Sequence, residues 1–153
     1  MRFIHYGSDK FDLNLFSSVK NRNGWNKPTG GLWASPVNKK NRTWRDWCLS
    51  ECFNVNRLGS SFKFDINFNS DRILKILSES DIPKIAKYIY SSTEDYYIKG
   101  YDFELLSKDY DALYINAGSN GKLYFEFYGW DCDSIIIFNP SIIRINKIGV
   151  TDE

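Results

Sequence analysis

Histidine is nearly missing from this chain, with one residue, His5, in 153. Cysteine is scarce as well: Cys48, Cys52 and Cys132 are the three present, and together with His5 they show no metal-ligand spacing. A zinc site is therefore not expected, and no metal is assigned to the chain. Three thiols cannot all pair within one chain, so reduced cysteines and a cytoplasmic setting are the expectation. Cys48 and Cys52, four apart, would share a helix face, where packing is their expected role. Long apolar runs are missing too. The longest, Ile135–Phe138, suits a buried strand and falls far short of the ~18 residues that cross a membrane. Met1–Tyr6 passes straight into polar sequence, with nothing resembling a secretory leader. Internal repeats and low-complexity stretches are absent.

What remains is an ordinary globular composition, 42% apolar and 25% charged, of a length that suits one domain over residues 1–153. The aromatic content is less ordinary: 11 Phe, 10 Tyr and 5 Trp. Such side chains bury large areas and also offer flat faces to rings and bases. Charge is unevenly spread. Lys20–Arg45 holds seven basic residues and no acid, whereas the rest of the chain carries 13 basic and 19 acidic groups. Trp25, Trp33 and Trp44 lie in that basic stretch, with Trp47 just beyond. Cations interleaved with aromatics suit a single nucleic-acid strand, whose phosphates meet the charges while its bases stack. A solvated basic loop around core tryptophans is the alternative.

The residue pattern predicts a strand at Arg2–Tyr6, then a loop from Ser8 to Gly31 with a helical turn near Leu13–Val19. A short strand comes next, within Gly30–Pro36. Thr43 is placed to cap a helix over Trp44–Phe53, with Asp46 at the third helical position. Ser61–Phe68 alternates, with Phe62, Phe64, Ile66 and Phe68 on one face, as a half-buried antiparallel strand does. Arg72–Leu77 reads as a strand. Ser78–Asp81 then caps a helix with Pro83 in its first turn and Ile82, Ile85, Ala86 and Ile89 on its apolar stripe. A short helix at Asp102–Ser107, a strand at Ala112–Ile115, a turn at Gly118–Gly121 and strands at Leu123–Tyr128 and Ser134–Phe138 complete the reading. About six or seven strands with two or three short helices, not alternating regularly, define an α+β class with mixed or antiparallel sheets.

Three segments, taken in order, resemble the ADP-ribosyltransferase family, in particular its toxin and phage-conflict (phage-defence) members. Phe3-Ile4-His5-Tyr6-Gly7-Ser8 is similar to the family's first strand, which ends in His, any residue or Gly, then Thr, Ser or Gly. Gly30-Gly31-Leu32-Trp33-Ala34-Ser35-Pro36 is similar to its second strand. Tyr110-Asp111-Ala112-Leu113-Tyr114-Ile115, followed by Asp131-Cys132-Asp133-Ser134-Ile135-Ile136-Ile137-Phe138-Asn139-Pro140, is similar to its C-terminal pair, in which an acidic residue opens an apolar strand. The family's acid there is Glu, whereas this chain has Asp133, one methylene shorter.

The resemblance implies a transferase that uses NAD⁺ as substrate and moves ADP-ribose to a macromolecule. Nucleic acid is the preferred acceptor, through Lys20–Arg45, and an antitoxin protein is an implied partner of the toxin type. The alternatives are a protein acceptor, or a non-catalytic nucleic-acid-binding or inhibitor module. On the same basis His5 holds the ribose on the adenine side, Gly7 lets the backbone approach the nicotinamide amide and Ser8 adds a hydroxyl there; Tyr6 is a further stacking candidate, with Tyr6-Gly7-Ser8 taking the motif's place in a register shifted by one residue. Trp33 and Ser35, sharing a strand face, supply a ring and a hydroxyl to the same pocket. Breaking the nicotinamide–ribose bond leaves a cationic, oxocarbenium-like sugar that needs a nearby carboxylate. Asp133 takes that role first and Asp131 orients the nucleophile; Glu126 and Asp131 stay open as alternative acids.

Overall fold

Residues 133–137 (Asp-Ser-Ile-Ile-Ile) are all buried, which is what a strand covered on both faces requires. The computed structural model describes residues 1–22, 26–38, 40–90 and 100–146. Within them the chain forms strands β1 (Arg2–Tyr6), β2 (Leu32–Pro36), β3 (Ser61–Asp65), β4 (Ile73–Ile76), β5 (Ile89–Tyr90), β6 (Gly100–Tyr101), β7 (Ala112–Asn116) and β8 (Asp133–Ile137). The α-helices are α1 (Trp44–Glu51), α2 (Phe103–Asp109) and α3 (Gly121–Glu126), with five short 3₁₀ segments between elements. Six strands make one mixed sheet in the order β3-β1-β2-β8-β7-β4, and β5 pairs with β6 apart from it. Neighbours in the large sheet are antiparallel except β4 and β7. The class is α+β, as the sequence pattern predicts; the described strands number one more than the upper expectation because the two-residue β5 and β6 are added and one expected strand is not formed.

Alternate residues of the central strands face two apolar clusters. Leu113, Ile115 and Ile136 join Phe103, Leu106, Leu123, Phe127 and Trp130 on one side. Ala112, Tyr114, Ile135 and Ile137 join Phe3, Phe64 and Ile66 on the other. Period-two alternation in the sequence thus becomes a sheet with a core on each face.

The Thr43 cap forms as expected. Its hydroxyl accepts from the Asp46 N–H at 3.4 Å and the Asp46 carboxylate accepts from the Thr43 N–H at 2.9 Å. Two expectations are corrected. Leu123–Tyr128 is not a strand: Gly121–Glu126 is helix α3, with the Asn120 side chain capping the N–H groups of Lys122 and Leu123. Leu123 and Phe127, four apart, are both buried by that helical turn, and this burial outweighs the β preference of Leu-Tyr-Phe-Glu-Phe-Tyr. The segment around Pro83 is not one α-helix either. It is two 3₁₀ pieces, Glu79–Lys84 and Ala86–Tyr88, opened by Ser78 and Asp81 as a capping box. Pro83 lies inside the first piece, where its missing N–H would break an α-helical ladder.

The sheet forks along β2. Leu32, Trp33 and Ala34 pair with Ile137, Ile136 and Ile135 of β8, whereas Ser35 and Pro36 pair with Ile4 and Phe3 of β1. Each half of β2 is therefore laddered on one edge. The end of β1 (His5, Tyr6) parts from the first half, and the start of β8 parts from the second. Pro36, lacking an N–H, cannot donate to a ladder. Before β2, Gly30 holds φ +74° with its Cα against the Ser18 carbonyl, and a Cβ there would lie 2.2 Å from that oxygen. Only glycine meets both demands at this turn.

Candidate functional site

Where β1 and β8 part from β2, a hollow of about 190 Å³ opens, lined by His5, Tyr6, Lys27, Trp33, Ala34, Ser35, Trp44, Cys132 and Ser134. Four of the residues predicted from sequence, His5, Tyr6, Trp33 and Ser35, therefore meet at one place, delivered by the end of β1 and the middle of β2.

His5 stands in for the missing strand pairing. Its Nδ1 lies 2.7 Å from the Trp33 carbonyl oxygen. A carbonyl only accepts, so Nδ1 carries the proton and Nε2 keeps its lone pair in the neutral ring. Burial lowers the imidazole below its ordinary value; the Trp33 bond opposes this and the Arg57 charge adds to it. The ring also packs on Phe62 at 5.1 Å between centroids.

The aromatic wall is built from two tryptophans and an internal cation. Lys27 Nζ sits 5.0 Å from the Trp33 ring and 5.6 Å from the Trp44 ring, both distances within the cation–π range. Trp33 is braced from behind by the fully buried Trp130, 4.8 Å away. Trp44 is held at its backbone: its N–H donates to Ser35 Oγ at 2.9 Å. That bond occupies the serine oxygen as an acceptor, so Ser35 positions Trp44 as well as lining the hollow. Cys132 Sγ and Ser134 Oγ lie 3.1 Å apart on the β8 wall, and burial pushes the Cys132 thiol up to about 11.

The carboxylates divide. Asp133 lies on the other side of β8 from Cys132 and Ser134 and has no exposed surface. Its oxygens accept from the N–H groups of Gly118 (2.9 Å) and Ser119 (3.0 Å), from the Ser119 hydroxyl and from Asn41 Nδ2 (2.7 Å). Its own N–H donates to the Arg42 carbonyl at 2.8 Å. Asp133 is thus a clamp joining the loop before α1 to the turn before α3, and its carboxylate does not line the hollow. Asp131 stands beside a lining residue. It lies 3.9 Å from Lys27 Nζ, and burial raises its carboxyl above the usual range, with Lys27 opposing. Glu126 is elsewhere, on α3, where it accepts from the Tyr101 hydroxyl at 3.1 Å.

Gly7 and Ser8 do not line the hollow. Gly7 has φ +102° and donates to the Ser60 carbonyl at 2.8 Å; the Arg57 guanidinium lies 3.5–3.7 Å from where a Cβ would be. Ser8 turns back to the Lys10 carbonyl at 2.8 Å. Positive charge nonetheless reaches this edge: Arg57 acts on His5, and Arg45 acts on Tyr6. Sequence reasoning missed Lys27, Trp44 and Arg57 as members of the site. The interleaving of Lys27 with Trp33 and Trp44 was the available signal for the first two; nothing local marked Arg57. Trp25 and Lys39 of the basic stretch fall outside the described residues.

Among known proteins, the chain matches no family model, no curated protein and no solved structure. No described helix is long and apolar enough to cross a membrane.

Proposed function

We propose that the chain is an NAD⁺-dependent ADP-ribosyltransferase with a macromolecular acceptor, and that the fork in the sheet is its dinucleotide cleft. The observation that carries this reading is the convergence of His5, Tyr6, Trp33 and Ser35 on one hollow with the start of β8. A hollow of about 190 Å³ takes a ring and part of its sugar, so the phosphates of a dinucleotide would lie over the mouth, toward Arg57. The Trp33 and Trp44 rings that line the hollow offer flat faces to a nicotinamide ring, which would displace the Lys27 ammonium now lying over them.

Asp131 replaces Asp133 as the acid in this reading, since its carboxylate stands beside a residue that lines the hollow. The bond from ribose C1′ to the nicotinamide nitrogen breaks, its electron pair leaving with neutral nicotinamide. The carboxylate steadies the cationic sugar while an acceptor oxygen or nitrogen forms the new bond to C1′ and passes its proton to Asp131 or to water. His5, neutral with Nε2 as an acceptor, can receive a ribose hydroxyl.

Calorimetry with NAD⁺, together with nicotinamide release from labelled NAD⁺ in the presence of pools of RNA, DNA and cell protein, tests the reading. Micromolar to millimolar NAD⁺ binding that Trp33→Ala abolishes is expected, as is turnover that Asp131→Asn lowers by about 10²-fold or more. Absence of both binding and turnover in every pool overturns it. The engagement of Asp133 as a clamp favours a second reading, a non-catalytic nucleic-acid-binding module. Oligonucleotide binding without any NAD⁺ binding selects that one.

A further inference from the structure

The aromatic wall does not stop at the hollow. Trp44, which lines it, stacks on Trp47 one helical turn along α1, with centroids 5.0 Å apart and planes 16° from parallel. Phe53 then meets the edge of both rings, 5.4 Å from Trp47 and 6.0 Å from Trp44. Phe53 is 45% exposed and so opens this ladder to solvent. Basic residues run beside it. Lys40, Arg42 and Arg45 are exposed and form no ion pair among the described residues, and Lys27 sits at the inner end. The acids of the neighbourhood are Asp46, Glu51 and Asp131. Asp46 at the Thr43 cap stays charged beside Arg42 and Arg45, Asp131 faces Lys27, and Glu51 is the third acid, so four cations meet three opposing charges on this face.

We infer that this face of α1 is the docking platform for the acceptor, and that the acceptor is a single nucleic-acid strand. Phosphates pair with Lys40, Arg42 and Arg45, and an unpaired base stacks on the Trp47–Phe53 end of the ladder. The next nucleotide toward Trp44 is thereby brought to the mouth of the hollow. Charge complementarity and a stacked, partly exposed aromatic pair are what unpaired bases on a phosphate backbone recognise; a duplex offers phosphates but hides its base faces. The role as acceptor rests on the transferase reading above, whereas the docking itself does not need NAD⁺.

The test is fluorescence anisotropy with labelled single-stranded RNA and DNA of about ten nucleotides and the matching duplexes, at several salt concentrations and without NAD⁺. Single strands are expected to bind at least tenfold more tightly than duplexes. The affinity should fall with salt, and Arg42→Gln/Arg45→Gln should flatten that slope by about one to two. Trp47→Ala should weaken binding roughly tenfold, and Trp47→Phe should recover most of it. A Trp47→Ala protein that fails to fold leaves the arginine pair and the phenylalanine variant to decide. Equal binding of duplex, an unchanged salt slope in the arginine variant, or label transferred to protein alone overturns the inference. NAD⁺ calorimetry on the same wild-type preparation separates the two readings: oligonucleotide binding without NAD⁺ binding sinks the transferase and keeps the platform, and the reverse result does the opposite.

Discussion

Asp133→Ala should unfold the region around the hollow rather than merely silence it. The carboxylate has no solvent contact and accepts from four donors, all of them in loops rather than in its own strand. Removing it strands the N–H groups of Gly118 and Ser119 and the Asn41 amide in a site with little room for water. A buried donor left without a partner costs about 1–3 kcal/mol. These losses overlap and some loop relaxation accompanies them, so about 3–5 kcal/mol in total is expected. For a chain of this size each kcal/mol moves the melting temperature by about 2–4 °C, which gives a drop of roughly 6–20 °C. Asp133→Asn keeps one acceptor oxygen but turns an NH₂ toward donors, so it should fall between wild type and alanine. The assay is thermal unfolding followed by far-UV circular dichroism, with tryptophan fluorescence reporting Trp44, whose helix the clamp places. An alanine variant that melts within about 2 °C of wild type would refute the clamp and return Asp133 to consideration as a chemical group.

Asp131→Asn should do the converse, keeping the melting temperature within about 2 °C while lowering NAD⁺ turnover by about 10²-fold or more; equal losses of stability in both aspartate variants would deny the division of roles. His5, the sole histidine, should titrate in NMR below the ordinary 6.5, with the proton on Nδ1 when neutral. Because its folded value is depressed, its contribution to stability is fully present above 6.5 and is lost as pH falls through the folded value; a midpoint at or above 6.5 contradicts its burial. Gly30→Ala should cost about 2 kcal/mol or more, since its φ of +74° and the Ser18 carbonyl both oppose a Cβ; urea unfolding measures it. In the native protein a thiol reagent should label Cys52 quickly and Cys48 and Cys132 slowly, as their burial dictates; fast labelling of all three contradicts the packing.

The local elements were largely written in the chain. Thr43 and Asp46 announce α1 because a capping box satisfies orphan N–H groups within four residues. The alternation at Ser61–Phe68 and the apolar run at Ile135–Phe138 announce β3 and β8 because side chains on a strand take opposite faces in turn. The Gly118–Gly121 turn was equally plain, but the helix after it was not. Leu123 and Phe127 became a helical pair because the core had room for that face of α3, a fact about packing that no six-residue window contains. The site divides in the same way. His5, Tyr6, Trp33 and Ser35 could be singled out as chemistry-bearing residues, and their meeting depends on β2 changing partners between Ala34 and Ser35. That Asp131 and not Asp133 sits beside a residue lining the hollow was decided by tertiary structure alone. Pairing of Asp133 with Asn116 across β7 and β8 fixes the facing of every residue in that strand. It sends Cys132 and Ser134 into the hollow, turns Asp133 toward the loops, and leaves Asp131, just before the strand, beside Lys27. Residue identity sets what a side chain can do; the register of a strand, settled by partners far away in sequence, sets which side it does it on.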